Sequence, residues 1–190
     1  MYLYLSQGHK HIQVIPLNHD HEFQPPLKQL FDEIYDRQIG QIYAINKLPF
    51  VHVIIGLDNN ILRAAKDQES LTSYLAQMFF GILDAMFQQL RENSLPLDTS
   101  YNFLMTQDFM MLVPRSKETA TIEHNGRSYE LSINSMGFSG SILCKSDEEL
   151  KALEAQDNLM EILTQVGVPW SPDAEKYDSA RQHAETAELI

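Results

Sequence analysis

Near the start of the chain, His9-Lys10-His11-Ile12-Gln13 sets two imidazoles and an amide at alternate positions. Side chains on an extended strand alternate between faces, so His9, His11 and Gln13 would form one row. Three kinds of chemistry are open to such a row. It can be plain polar surface. It can start a metal site, because His-x-His supplies a pair of ligands and His19-Asp20-His21 follows. Metal sites want three or four convergent ligands, though; the sequence names no closing set, and glutamine is a poor ligand. It can also carry nucleophilic catalysis. Neutral imidazole is a good nucleophile near neutral pH. Attack on phosphorus gives a covalent phosphoramidate and splits one transfer into two easier steps. Gln13 can donate an N–H to the phosphoryl oxygen without titrating.

A second cluster lies at Asn134-Ser135-Met136-Gly137-Phe138-Ser139-Gly140-Ser141, ending at Lys145. Gly137 and Gly140 would let backbone approach a phosphate closely. Lys145 adds one compact positive charge in an acidic protein. An ordinary turn beside a surface lysine reads equally well, since short glycine-containing motifs match widely. His52 has a structural role by its place in an apolar run. His19, His21, His124 and His183 are assigned to surface. Met105, Met110 and Met111 are core residues rather than a cofactor box. Cys144 reads as a small buried apolar residue.

Elements must position these residues. A strand is expected over residues 10–17, and a helix after Pro25-Pro26, carrying Leu27, Leu30, Phe31 and Ile34 at helical spacing. Phe50-Val51-His52-Val53-Ile54-Ile55 is a strand buried on both faces. Leu71, Leu75, Met78, Phe79, Ile82, Leu83, Phe87 and Leu90 predict one long helix over 69–93. Residues 101–106 and 109–113 pair across Gln107-Asp108. Asn125-Gly126 is a hairpin turn. Ser146-Asp147-Glu148-Glu149 is a capping box, and a last helix ends at Gly167 before Pro169. Hairpins mixed with helices give an α+β class with a mainly antiparallel sheet and flanking helices.

Composition sets the limits. With 190 residues, 44% of them hydrophobic, the chain makes one domain, or one domain and a tail. The division is 1–169 for the domain and 170–190 for a polar tail, a frayed helix or disordered. No apolar run of about 18 residues predicts a membrane helix, and the start lacks the pattern of a signal peptide. A single cysteine excludes an internal disulfide and points to a reducing compartment, cytoplasm ahead of nucleus. A net charge of −12 argues against nucleic-acid partners. Its late acidic residues read as a solvated face.

The motifs together resemble a family. Ser6-Gln7-Gly8-His9-Lys10-His11-Ile12-Gln13 is similar to the active-site strand of ATP adenylyltransferases, or diadenosine tetraphosphate phosphorylases. These belong to the histidine-triad superfamily, in the branch with glutamine as third residue. Tyr101 to Thr106 with Val113-Pro114-Arg115-Ser116, the stretch Asn134 to Lys145, and Ile162 to Pro169 follow in the family's order. The match covers about 6 to 169 and corresponds to the C-terminal half of such enzymes. The resemblance implies a histidine-triad-like fold and phosphorolysis of diadenosine tetraphosphate to ATP and ADP, or the reverse. It implies His11 as nucleophile, Gln13 holding the phosphoryl oxygen, and His9 orienting His11. It implies Ser6, Gln7, Asn134, Ser135, Met136, Ser141 and Lys145 as nucleotide contacts. No metal is implied as a fixed cofactor; a divalent cation would travel with the nucleotide. The departures are at the start, where Gly8 replaces a proline and Tyr4 a glycine. The family's N-terminal half has no counterpart here. An unpaired sheet edge is expected, open to self-association. The alternative function is a weak or dead remnant that keeps the fold and nucleotide binding.

Overall fold

The computed structural model describes residues 2–7, 9–15, 25–34, 37–65 and 67–170, with side chains from residue 14 onward. Strands β1 (Tyr2–Gln7) and β2 (His9–Gln13) open the chain. Helix α1 (Pro26–Asp32), β3 (Ile42–Tyr43), β4 (Val53–Gly56) and α2 (Asn59–Ala64) follow. The long α3 (Gln68–Glu92) precedes β5 (Ser100–Met105) and β6 (Phe109–Arg115). A separate hairpin joins β7 (Thr119–His124) to β8 (Arg127–Ser132). Three short helices end the described chain: α4 (Ser135–Phe138), α5 (Asp147–Glu154) and α6 (Leu159–Val166). The class is α+β, as expected.

Among the described residues, the main sheet has six strands in the order β2-β1-β5-β6-β4-β3, and every pairing between them is antiparallel. β6 is buried along its whole length, so both sheet faces are covered. On one face, Val53, Ile55, Phe103, Met110 and Leu112 pack against Ile82, Ala85 and Met86 of α3. On the other, Ile54, Leu104, Met111 and Val113 meet Leu27 and Phe31 of α1, Phe138 of α4, Ile162 and Val166 of α6, and the β7–β8 hairpin. Strand alternation divides the apolar residues between the two layers.

Local chemistry sets the ends. Asp67 Oδ1 accepts from Ser70 N–H at 2.7 Å and starts α3. Pro26 occupies the first turn of α1, where its missing N–H costs nothing. Asn125 and Gly126 both take positive φ, 49° and 72°, as a two-residue hairpin turn requires. Ser146 Oγ accepts from Glu149 N–H at 3.2 Å; the Glu149 carboxylate takes the Lys145 N–H instead of closing a reciprocal capping box.

One expectation shifts: the strand expected over 10–17 runs over His9–Gln13, and Pro16 lies outside the described residues. α6 ends at Gly167 as expected, in extended backbone with φ −65° and ψ 171°. A glycine stands there because of closeness: an added Cβ would lie 2.9 Å from Phe50 Cβ. Arg115 bridges Gly167 and Phe50 bridges Pro169, fastening this end to the core. Trp170 Nε1–H donates to Leu48 O at 3.3 Å. The tail from 171 onward lies outside the described residues.

Gly167→Ala should lower stability by about 1–3 kcal/mol through overpacking against Phe50. Gly126→Ala, whose added Cβ meets nothing within 4 Å, should cost about 1–2 kcal/mol through backbone strain alone. Urea unfolding separates the two: Gly167→Val should cost more than Gly167→Ala, whereas Gly126→Asn, which tolerates positive φ, should recover most of the Gly126→Ala loss.

Candidate active site

β2 is the strand that carries the histidine row, and it lies at the edge of the sheet. Its neighbour β1 pairs Tyr2 with Gln13, Leu3 with Ile12, Tyr4 with His11 and Gln7 with His9, with a register shift between Tyr4 and Gln7. Such an irregularity is a bulge, which re-aims a strand locally. Ser6 lies inside this irregular stretch and Gln7 at its end. β1 in turn docks on β5 through Tyr2 to Leu104 and Leu3 to Phe103. Extending that register one step sets Tyr4 opposite Asn102. Asn102, Tyr4 and His11 therefore occupy one row across three strands, about 10 Å from end to end. Directly paired residues share a sheet face, so this row belongs to the Leu104 face, away from α3. The side-chain contacts of Ser6, Gln7, His9, His11 and Gln13 lie outside the described atoms, and so do His19 and His21 altogether.

The second cluster arrives on the same face. α4 packs against β1 and β5. Asn134 Oδ1 accepts from Met136 N–H at 2.9 Å and Gly137 N–H at 3.3 Å, so it caps α4. Only its amide Nδ2 can then donate to a ligand. The Met136 carbonyl gathers the loop, accepting from Ser139 Oγ at 2.7 Å and from Ser141 N–H at 3.0 Å. Ser135 is 1% exposed, and its Oγ lies 3.5 Å from Asn102 Oδ1. The structure thus brings Asn134, Ser135 and Met136 beside the strands of the histidine row. Lys145 is exposed and immediately precedes the cap of α5, which packs on β7 and β8.

The two glycines also serve packing. A Cβ on Gly137 would lie 2.9 Å from Ile133 Cγ2, and one on Gly140 2.7 Å from Pro26 Cβ. Gly140 also takes φ +98°, which side chains rarely adopt. Together they hold α4 down on the β8 end and on the start of α1.

Asn102 was not among the residues picked out from the sequence. It is fully buried on β5, and its Nδ2 has no hydrogen-bond partner among the described residues. The only available signal was one amide inside an apolar strand. His52 is also fully buried. Ile45 N–H donates to its Nε2 at 2.7 Å, and its Nδ1 stands 2.7 Å from Phe50 O. That pattern needs a neutral ring with the proton on Nδ1, tying two loops together. The structural role expected for His52 agrees with this geometry.

A separate cleft of about 240 Å³ is lined by Lys28, Asp32, Arg37 and Asp108 among others. Burial works against the Asp32 carboxylate, but hydrogen bonds from Arg37 and Lys28 outweigh it and hold its pKa below the ordinary value. The cations of this cleft are thus already paired. Among the described residues, no group of three or more His, Cys, Asp or Glu is placed to hold a metal ion.

The family model described as ATP adenylyltransferase C-terminal domain matches residues 46–169. "Diadenosine 5',5'''-P1,P4-tetraphosphate phosphorylase 2" of Saccharomyces cerevisiae is 28% identical over 169 residues, 86% of this chain and 49% of the relative. "Protein APA1" of the same yeast is 26% identical over 171 residues. The chain spans about half the length of these curated relatives. Among solved structures, yeast Ap4A phosphorylase Apa2 in complex with AMP superposes with a TM-score of 0.61 at 24% identity, over 92% of this chain and 57% of that one. At that identity the likeness speaks for the fold.

Cys144 gives a check on the electrostatics around α5. Burial, then Glu149, then Glu154 push its thiol upward. Little thiolate forms near neutral pH, so alkylation by iodoacetamide should run slower than that of a free thiol. Glu149→Gln removes a negative charge and should speed the reaction several-fold. Equal rates for both proteins would show that Glu149 does not act on the thiol.

Proposed function

The chain belongs to the ATP adenylyltransferase C-terminal domain family, and from that premise we propose that it transfers adenylyl groups through His11. One observation carries this reading. β2 holds His9, His11 and Gln13 at alternate positions, and Asn134-Ser135-Met136 packs beside its neighbours. That arrangement supports reading His11 as nucleophile, Gln13 as oxygen donor and Asn134-Ser135-Met136 as the binding loop. The reaction class is phosphorolysis of diadenosine tetraphosphate, as the resemblance implies.

An imidazole nitrogen of His11 attacks the α-phosphorus of the dinucleotide. A P–N bond forms as the P–O bond to the leaving group breaks, and ATP departs as the anion. Gln13 donates to a non-bridging oxygen as negative charge builds there. His9 orients the His11 ring. Inorganic phosphate then attacks the same phosphorus, the P–N bond breaks, and ADP leaves with His11 regenerated. The reverse direction uses the same intermediate. Ser6, Gln7, Asn134, Ser135, Met136, Ser141 and Lys145 are the proposed nucleotide contacts. A divalent cation enters only with the polyphosphate, and the nucleotide pools of the cytoplasm are the proposed setting.

A second reading has its own observation: the histidine strand is an edge strand in a chain half the length of its relatives. On that reading the protein binds nucleotide but turns over weakly, or pairs its β2 edge with another chain.

Incubation with diadenosine tetraphosphate in the absence of phosphate separates the two. The first predicts an adenylyl adduct by intact-protein mass spectrometry, absent in His11→Ala, and formed about a hundredfold more slowly in Gln13→Ala. An adduct undiminished in His11→Ala removes His11 from its role. AMP binding without any adduct leaves the second reading.

A further inference from the structure

One buried group is left unexplained by the roles above. Asn102 is 0% exposed, and its Nδ2 donor has no partner among the described residues. Buried donors left empty are rare and costly, and an empty amide acceptor is better tolerated. Among the described residues, the polar side chain nearest this amide is Ser135, whose Oγ lies 3.5 Å from Oδ1. With Oδ1 toward Ser135, the serine hydroxyl can take part in that contact only as donor. Rotating the amide half a turn exchanges oxygen and nitrogen at nearly the same positions. Nδ2–H then donates to Ser135 Oγ, the empty donor is filled, and the serine proton is free to point elsewhere.

We propose that Asn102 is a positioning residue that, by donating through Nδ2 to Ser135 Oγ, turns the Ser135 hydroxyl into a hydrogen-bond donor toward a phosphoryl oxygen of bound nucleotide. This rests on the reading of Ser135 as a nucleotide contact. The placement supports it. Ser135 stands at the start of α4, which packs against β1 and β5. Asn102 shares a row with His11 through the register of β5, β1 and β2. An acceptor-only ligand such as a phosphoryl group needs a donor, and an inward-turned serine hydroxyl cannot provide one. The amide is therefore a selector of hydroxyl direction, anchored on a buried strand paired to β6.

The test measures AMP and adenosine affinity by calorimetry on the full chain, with Ser135→Ala, Asn102→Asp and Asn102→Ala, and each Asn102 change combined with Ser135→Ala. A carboxylate at 102 can only accept, which forces the serine proton inward; alanine leaves the hydroxyl without a guide and adds no charge. Each single variant should weaken AMP about tenfold, the value of one charge-assisted hydrogen bond, and leave adenosine unchanged. The Asn102 and Ser135 effects should not add, because one acts through the other. Additive losses, equal loss of adenosine, or a loss confined to the charged variant overturns the proposal while the functional reading stands. A wild-type chain that binds neither ligand overturns both.

Discussion

Two-sided burial of β6 is the constraint on which this fold rests. Each residue from Phe109 to Arg115 is buried, and its side chains alternate between two different apolar layers. A slip of one position would send Met110 and Leu112 to the face of Met111 and Val113 and reverse every contact. The register of β5 on β6 is therefore strongly specified, and that of β4 follows on the other side. β1 inherits it by docking on β5, and β2 inherits it from β1. The location of the histidine row is thus decided far from the histidines. α3, joined by Leu62 of α2, covers one face, and the helices and hairpin of the chain's second half collect on the opposite face, where Asn134, Ser135 and Met136 meet the strand of Asn102.

Much of this was legible in the amino-acid order because strong periodicity and turn chemistry agree with the tertiary fold. The three- and four-residue recurrence of Leu71 to Leu90 matches α3 to within one residue at each end. Asn125-Gly126 names its own turn because few residue pairs accept positive φ twice. Other features depend on contacts that no local pattern records. Gly137, Gly140 and Gly167 look like phosphate turns or helix caps in isolation. Each is small because a particular side chain, Ile133, Pro26 or Phe50, lies where a Cβ would go. α4 is too short to show a period.

The site shows the same division. Residue types capable of chemistry announce themselves, as His9, His11 and Gln13 do by spacing. Residues that aim such groups are ordinary in sequence. Asn102 sits between Tyr101 and Phe103 in an otherwise apolar strand, and only burial, an empty donor and a neighbouring hydroxyl distinguish it. His52 shows the converse: it is chemically capable, but both ring nitrogens are engaged by backbone groups.

The strand order also governs assembly in time. β5 and β6 are joined by a tight turn, so their pairing closes a short loop. β1 meets β5 through Leu3 and Phe103, partners separated by one hundred positions. Closing that loop has a larger entropic cost, which grows with the logarithm of its length, and contacts so distant in sequence slow folding. The hairpin of β1 and β2 docks on a β5 that β6 holds in register. Among the described pairings, the strand bearing His11 is joined to the two-sided β6 only through β1 and β5.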